Sequence, residues 1–193
     1  VSSLEQLKGL KMRFFGLGAR VMQKMGMSTQ LLAAADIYPA LERGVIDATE
    51  FSMPNIDVQL GFHQIAKNNY YPGWHQQISC GEFLMNMGEW NDLPEPYQAM
   101  IENSAGRQII HTYAETEAMN PRAMLEMKSK HGVTNHRWPD EVLAKFEKAW
   151  LEVLAEDSAK DPEFKRVADH YLAFRKTYKL WGDAQSLKGT YQE

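Results

Sequence analysis

The amino-acid sequence predicts an α/β fold, in which a mixed β-sheet is flanked by long C-terminal helices. Two observations carry this prediction. Short strands and short helices alternate over the first fifty of the 193 residues, which is typical of an α/β layer. From Glu95 to Lys130 helix-forming residues then dominate without a strong break except Asn120-Pro121, and further amphipathic stretches follow.

The elements of the first part alternate in type and are separated by glycine. They are a short polar helix or turn over Ser3 to Leu10 with Gly9 as its breaker, a strand over Lys11 to Phe15, a turn opened by Gly16 and Gly18, a helix over Arg20 to Met25, and a strand over Gln30 to Ala34. This alternation predicts parallel strands joined by crossover helices.

The stretch from Asp36 to Phe51 predicts a short helix followed by a short strand. Asp36 suits the N-cap, and Gly44 suits the position just after the last helical turn. A strand is expected to start at Val45 and to present Glu50 at its far end, where ligands usually bind in α/β proteins. A solvated surface carboxylate is the alternative interpretation of Glu50.

The second part is predicted to become helical toward the C-terminus. Its expected elements are a helical segment over Ile56 to Ile65, a turn-rich aromatic segment over Asn68 to Gly73, a strand over Ile78 to Asn86, a short helix over Glu89 to Leu93, a long helix over Glu95 to Lys130 with a kink near Pro121, a strand over Val133 to Trp138, a helix that begins at Pro139 with an apolar stripe of Val142, Phe146, Trp150 and Val153, and a last helix from Glu163 to about Trp181. Residues 183–193 are expected to form a flexible or partner-bound tail.

Composition excludes several classes of protein. The net charge of −4 argues against a nucleic-acid partner, which requires a clustered basic surface. No apolar run approaches the ~20 residues of a membrane helix. Zinc-enzyme, nucleophile-elbow and P-loop motifs are absent from the sequence. Cys80 is the only cysteine and lies in an apolar stretch, so a buried inert thiol is expected rather than a nucleophile.

Several segments resemble one family of transport proteins. They are Leu7 to Arg13, Gly26, Asp36 to Phe51, Leu60-Gly61-Phe62 and Tyr70-Tyr71-Pro72-Gly73-Trp74. The chain is similar over Leu7 to Trp181 to the extracytoplasmic solute receptors of TRAP (tripartite ATP-independent periplasmic) transporters, most of all to the branch that binds 2-oxo acids and lactate. The resemblance implies a lobe like that of periplasmic binding proteins, a periplasmic location and membrane permease subunits as partners.

The resemblance also implies the role of single residues. Arg13 falls on the family's signature arginine, which binds the ligand carboxylate; a surface arginine on an edge strand is the alternative. Glu50 and the carbonyl of Phe51 fall on cation ligands, and a third ligand falls on Gln76, where relatives may carry glutamate. A neutral Gln76 favours a monovalent ion or a weak site, and Na⁺ or Ca²⁺ is the expected cation, with no other cofactor.

Two further aromatic residues are candidates for the ligand pocket. Trp74 and His75 follow the Tyr70-Tyr71-Pro72-Gly73 segment and could wall a small pocket or belong to the core. Phe51 is likewise assigned to ligand contact as well as to the cation, because its aromatic ring is a feature of the 2-oxo-acid branch.

Three classes of function remain open at this point. The first is a receptor that binds a small monocarboxylate such as pyruvate or lactate, and it is preferred. The second is an enzyme that uses Glu50 as a general base and Arg13 to hold its substrate. The third is a dimerisation domain built on Pro162 to Trp181, which is compatible with the first as a homodimer through the C-terminal helices.

The chain begins in the middle of the family's pattern. Residues 1–193 are therefore expected to be the second lobe and C-terminal helical region of a two-lobed protein, with most of the first lobe upstream of Val1. Half a cleft leaves a ligand exposed to water, so this chain by itself is expected to bind 2-oxo acids very weakly or not at all.

Overall fold

The computed structural model describes residues 3–79 and 81–185 and shows two small parallel sheets covered by helices. The strands are β1 (Lys11–Arg13), β2 (Ser28–Gln30), β3 (Ala48–Thr49), β4 (Asn68–Tyr71) and β5 (Thr134–Arg137). The helices are α1 (Gly16–Lys24), α2 (Ala34–Glu42), α3 (Pro54–Gln59), α4 (Met87–Asp92), α5 (Glu95–His131), α6 (Asp140–Ser158) and α7 (Pro162–Gln185), with 3₁₀ turns at Leu4–Leu7 and Phe62–Gln64.

The first sheet has the strand order β2-β1-β3. Both pairs are parallel, with Arg13 opposite Gln30 on one side and opposite Thr49 on the other. Helix α1 connects β1 to β2, and α2 connects β2 to β3. Because the strands are parallel, their carboxyl ends meet at one edge, and Arg13 lies there beside the residue that follows Thr49.

The second sheet pairs β4 with β5, also in parallel, with Tyr71 opposite Arg137. Helix α5 lies in the long connection between these two strands and ends at Gly132, which adopts a positive φ of 66°. The carboxyl end of β4 leads directly into Pro72, Gly73, Trp74 and His75. The second sheet therefore sets the position of that segment.

Two apolar clusters form the core. The larger one joins α1 and α6 beneath β1, and its buried members are Leu7, Phe14, Val21, Met22, Met27, Val142, Phe146, Ala149 and Val153. The smaller one surrounds α2, and its buried members are Ile37, Ala40, Leu41, Ile46 and Phe62. The predicted stripe of α6 is confirmed, because three of its four members are buried in the larger cluster and Trp150 packs half-buried against it.

The predicted α/β class with long C-terminal helices is confirmed. The sheet differs in one respect, since every strand pair among the described residues is parallel and the antiparallel part of a mixed sheet is not seen. Strand β4 lies where a turn-rich segment was predicted, because Asn68 and Asn69, poor strand formers, are paired with Thr134 and Asn135 of β5.

Some boundaries in the first part were predicted wrongly. Helix α1 begins at Gly16 rather than Arg20, and β2 ends at Gln30 instead of beginning there. Asp36 is not the N-cap of α2, which is Ala33; it lies in the first turn, where its charge still suits the helix dipole. The backbone N–H of Val45 bonds back to Ala40 at the end of α2, so that β3 starts later, at Ala48.

The strand predicted over Ile78 to Asn86 was wrong for the residues that the structure describes there, 78, 79 and 81–86. Ile78, Phe83 and Leu84 are exposed, so the apolar pattern reflects an uncovered surface instead of a buried strand. A strand also needs a neighbour for its backbone hydrogen bonds, and none is adjacent among the described residues. The prediction for Cys80 lies outside the described residues.

The C-terminal helices agree closely with the prediction. Helix α5 spans 37 residues, from Glu95 to His131. Helix α7 continues through Gln185, a little beyond the expected end at Trp181, and residues 186–193 of the predicted tail lie outside the described residues. None of the described helices combines the length and the apolar character that crossing a membrane requires.

The packing of α1 on β1 leads to a stability prediction at Gly18. A Cβ at this position would lie 2.3 Å from Cε1 of the Phe14 ring, which is itself buried. We expect Gly18→Ala to lower the free energy of unfolding by about 1–3 kcal/mol, as overpacking does. Urea unfolding followed by circular dichroism measures this change.

Gly106→Ala is the matched control, since Gly106 is an exposed residue of α5 with nothing within 4 Å of its Cβ position. It should raise stability by ~0.5–1 kcal/mol through helix propensity. Equal effects of the two substitutions would contradict the predicted contact with Phe14.

Candidate functional site

A buried ion pair lies at the carboxyl edge of the first sheet. Arg13 is only 7% exposed, and its Nη1 donates to Oε1 of Glu50 at 2.5 Å and to the backbone oxygen of Glu50 at 2.8 Å. The Nε of Arg13 donates to the carbonyl oxygen of Leu32 at 3.3 Å. The guanidinium is thus fixed by three oxygens supplied by the segments that follow β2 and β3.

Two aromatic rings also contact the guanidinium. Its carbon lies 5.3 Å from the ring centroid of Phe51 and 5.5 Å from that of Phe15. The ring of Phe51 packs edge-on against Phe62 of the smaller core cluster. Among the described residues, Nη2 of Arg13 has no hydrogen-bond partner, which leaves two N–H groups available to a ligand oxygen.

His75 approaches the same carboxylate from the segment after β4. Its Nε2 lies 3.0 Å from Oε2 of Glu50, and its ring packs edge-on against Phe14 at 4.8 Å. Both carboxylate oxygens of Glu50 therefore have a nitrogen partner. The structure brings Arg13, Glu50, Phe51 and His75 together at this edge.

Two predicted site residues do not contact the Arg13–Glu50 pair. Trp74 stacks on Phe146 with a centroid distance of 4.8 Å and packs against the larger core cluster, so the core interpretation describes it better. Gln76 is exposed, and its Nε2 donates to the hydroxyl of Ser79 at 2.8 Å. The Gln76 side chain is thus directed toward the following loop and not toward Glu50.

Comparison with known proteins identifies the family. Residues 1–161 match the family described as bacterial extracellular solute-binding protein, family 7 (DctP). The chain belongs to this family. A relative from Nostoc sp., named a monocarboxylate 2-oxoacid-binding periplasmic protein, is 33% identical over 97% of this chain and 51% of its own length.

Two solved structures of TRAP solute-binding proteins are also similar. One, from Bordetella bronchiseptica, is described as a mixed-occupancy dimer with copurified calcium and picolinate; it is 32% identical, has a TM-score of 0.84, and is matched over 95% of this chain and 55% of its own length. The other, from Pseudoalteromonas atlantica, holds sodium and pyruvate; it is 29% identical, has a TM-score of 0.86, and is matched over 96% of this chain and 56% of its own length.

The chain thus spans about half the length of the relatives that it matches. The resemblance to TRAP solute receptors is confirmed. The family and the similar structures are transport binding proteins, so the comparisons do not support an enzyme. Glu50 is also a poor general base in this arrangement, because Arg13 and His75 already occupy its two oxygens.

The three predicted oxygen donors of the cation site, Glu50, Phe51 and Gln76, are not brought together in the arrangement described. Glu50 and the Phe51 carbonyl are oxygen donors of the type that hard cations prefer, but Gln76 lies apart and Glu50 is engaged by two nitrogens. Within residues 3–79 and 81–185, no group of three or more His, Cys, Asp or Glu side chains could hold a metal ion.

A second carboxylate near the site was not singled out from the sequence. Burial raises the pKa of Asp57, on α3, to about 7, and the charge of Glu50 adds to this, while the backbone N–H of Ser52 opposes it. Its Oδ1 is buried without a hydrogen-bond partner in the described chain. The sequence feature that could have indicated this buried carboxylate is the position of Asp57 between the apolar residues Ile56 and Val58.

Asp57 leads to a prediction about the pH dependence of stability. A carboxyl whose pKa is raised in the folded state binds more protons folded than unfolded, so stability falls as pH rises from about 4 to about 7. Asp57→Asn should remove this fall and gain up to about 4 kcal/mol at pH 8, as a shift of roughly three pKa units implies.

Urea unfolding between pH 4 and 8 measures this dependence. The control is Asp140, which is exposed at the start of α6 and forms a surface ion pair with Arg137. Asp161 is less suitable, because its side chain accepts a hydrogen bond from the backbone N–H of Glu163 and so caps α7. Asp140→Asn should leave the pH profile unchanged. An unchanged profile for Asp57→Asn as well would show that Asp57 titrates normally.

Proposed function

We propose that this chain is the ligand-binding lobe of a TRAP transporter solute receptor that captures a small monocarboxylate, a 2-oxo acid such as pyruvate, or lactate. The observation that carries the proposal is the buried Arg13, which is held by Glu50 and Leu32 and whose Nη2 has no hydrogen-bond partner within residues 3–79 and 81–185. A guanidinium fixed in this way offers a ligand carboxylate charge-assisted hydrogen bonds at little conformational cost.

The ligands of similar receptors support the same chemistry. Pyruvate carries a 2-oxo oxygen next to its carboxylate, and picolinate carries a ring nitrogen in the equivalent place. A ligand of this kind presents one carboxylate and one adjacent acceptor. Arg13 would bind the carboxylate, and the aromatic ring of Phe51, which packs on the same guanidinium, would form part of the wall.

The charge balance of the site bears on the predicted cation. Arg13 is already neutralised by Glu50, so an arriving carboxylate brings a negative charge that this pair does not balance. Similar receptors hold calcium or sodium with their ligands. A cation at Glu50, Phe51 and Gln76 stays a prediction for this receptor, and it would require further oxygen donors from outside the described residues.

We further propose that the chain is the second lobe of a two-lobed periplasmic receptor that delivers its ligand to membrane permease subunits. Large apolar side chains are exposed on the segment before α4 and on α5, such as Phe83, Leu84, Ile109 and Ile110, at 71–84%. Large apolar side chains exposed in this way are often covered by another domain or protein.

A homodimer through the C-terminal helices is the last part of the proposal. On α7 large apolar residues recur at alternating steps of three and four: Phe164, Val167, Tyr171, Phe174, Tyr178 and Trp181. Most of them are about half exposed or more. This 3–4 repeat is the pattern of a coiled-coil seam, and a second copy of α7 fits it.

The role of Arg13 can be tested by calorimetry with pyruvate in the full-length receptor. Arg13→Ala should weaken binding by about 2–5 kcal/mol, because it removes the charged partner of a buried carboxylate. Arg13→Lys should also weaken binding, since it loses the planar fork. Adding Ca²⁺ or Na⁺ to the same titrations shows whether a cation contributes.

Arg43→Ala is the matched control for Arg13. The Arg43 side chain is exposed and contacts only the carbonyl oxygen of Pro39 in its own helix, so the affinity for pyruvate should stay unchanged. Unchanged affinity in Arg13→Ala would remove Arg13 from the site. Circular dichroism of each variant separates a lost contact from a lost fold.

The proposed dimer predicts that Phe174→Glu shifts the protein toward the monomer in sedimentation velocity. A charge on the apolar seam of α7 would have to be buried against the partner helix without a counter-charge. Lys176→Glu introduces the same side chain two residues away, on the outer face of α7, and should leave the association unchanged. A wild-type protein that sediments as a monomer at every concentration would exclude the dimer.

A further inference from the structure

A second group of titratable side chains surrounds the C-terminal end of α5. The imidazole of His63, in the 3₁₀ turn Phe62–Gln64, lies 4.2 Å from that of His131, the last residue of α5, measured between ring centroids. His63 is 9% exposed. Its Nδ1 is buried and has no hydrogen-bond partner among the described residues.

Lys67 ties the two backbone segments together. Its ammonium donates to the carbonyl oxygen of His63 at 2.9 Å and to that of His131 at 3.1 Å. This contact places a cation at the C-terminal end of α5, where the helix dipole favours positive charge. The Lys67 ammonium also lies close to the two histidines, so its positive charge would repel a metal ion bound between them.

Other charged groups near His63 are few. Glu126, on α5, is the carboxylate that acts on His63, and it is paired with Lys130. Helix α3 also packs against the turn, and Asp57 is its only titratable side chain. From α2, the Tyr38 hydroxyl donates to Gln64, the last residue of the turn.

These surroundings favour the neutral form of His63. Burial lowers the pKa of His63 below its ordinary value of 6.5, His131 and Lys67 lower it further, and Glu126 partly opposes them. Charging His63 therefore costs more in the folded chain than in the unfolded chain. The His131 ring lies 4.2 Å away between centroids, so it also keeps water from one face of the His63 ring.

We propose that the contact between His63 and His131 is an acid-sensitive latch, which holds the 3₁₀ turn Phe62–Gln64 against the end of α5 while the buried His63 ring is neutral and loosens when that ring is protonated. The latch lies at the base of the second sheet, because the turn leads into β4 and α5 leads into β5. Neither imidazole belongs to the carboxylate site, so the inference stands apart from the proposed function.

The direction of the effect follows from linkage. Above pH 6.5 both the folded and the unfolded chain carry a neutral His63, and the latch is intact. As pH falls below 6.5 the unfolded chain takes up the proton first, so stability is lost until the pH has passed the lower pKa of the folded state. Asp57 acts in the opposite direction over this range, so variants must be compared at each pH.

The test is urea unfolding of the unchanged protein and of His63→Phe from pH 8 to pH 5. Phenylalanine keeps an aromatic ring against His131 and cannot be protonated. We expect the midpoint difference between the two proteins to be constant above pH 7 and to move in favour of His63→Phe below pH 6.5. His170→Gln, at an exposed position of α7, should follow the unchanged protein throughout.

Two further measurements test the latch if His63→Phe folds poorly. Histidine NMR titration of the unchanged protein should give His63 a pKa below 6.5, and Glu126→Gln should lower that pKa further, since it removes the opposing carboxylate. Hydrogen exchange at pH 5.5 should show lost protection at residues 62–68 and 128–137 before the larger core cluster opens.

Three results would overturn the latch. They are a His63 pKa at or above 6.5, a midpoint difference that does not change with pH, and an acid response that disappears in His136→Gln but persists in His63→Phe. His136 is the relevant rival because it stacks on Tyr70 and bonds to Asn68 across the same pair of strands.

Discussion

The pairing of the buried Arg13 with Glu50 is the interaction on which the rest of the site depends. A guanidinium that is only 7% exposed has to be balanced by charge and hydrogen bonds, and the register of β1 beside β3 supplies both. The backbone N–H of Glu50 also donates to the carbonyl oxygen of Arg13 at 3.3 Å. The two side chains are therefore held by the same ladder that builds the sheet, and removing either one leaves an unbalanced buried charge.

The same pair connects the two sheets. Glu50 follows β3 of the first sheet, whereas His75, on its second oxygen, follows β4 of the second sheet. The edge contact of His75 with Phe14 adds the larger core cluster to this junction. The Glu50 carboxylate thus joins β1 of the first sheet, through Arg13, to the segment after β4 of the second sheet, through His75.

The sequence allowed part of this arrangement to be predicted, and the reasons for the failures are physical. Arg13 and Glu50 could be predicted to meet, because parallel strands bring their carboxyl ends to one edge. Gln76 could not be placed, because a loop residue past a strand end is oriented by its local partner, here Ser79. The apolar stretch from Ile78 predicted a strand, yet alternation reports which side chains are apolar, not whether a neighbouring strand exists to pair with them.

Asp57 and His63 show why buried titratable groups escape prediction from sequence and yet shape the response of a fold to pH. Both are removed from water beside the same short helix and turn, and in both the neutral form is favoured. The neutral form of a carboxyl is the protonated one, whereas that of an imidazole is the deprotonated one. Lowering the pH therefore stabilises the folded state through Asp57 and destabilises it through His63. Both groups lie where α3, the 3₁₀ turn Phe62–Gln64 and α5 pack together. Because these two groups share one small region, the response of that region to pH is the sum of two effects of opposite sign.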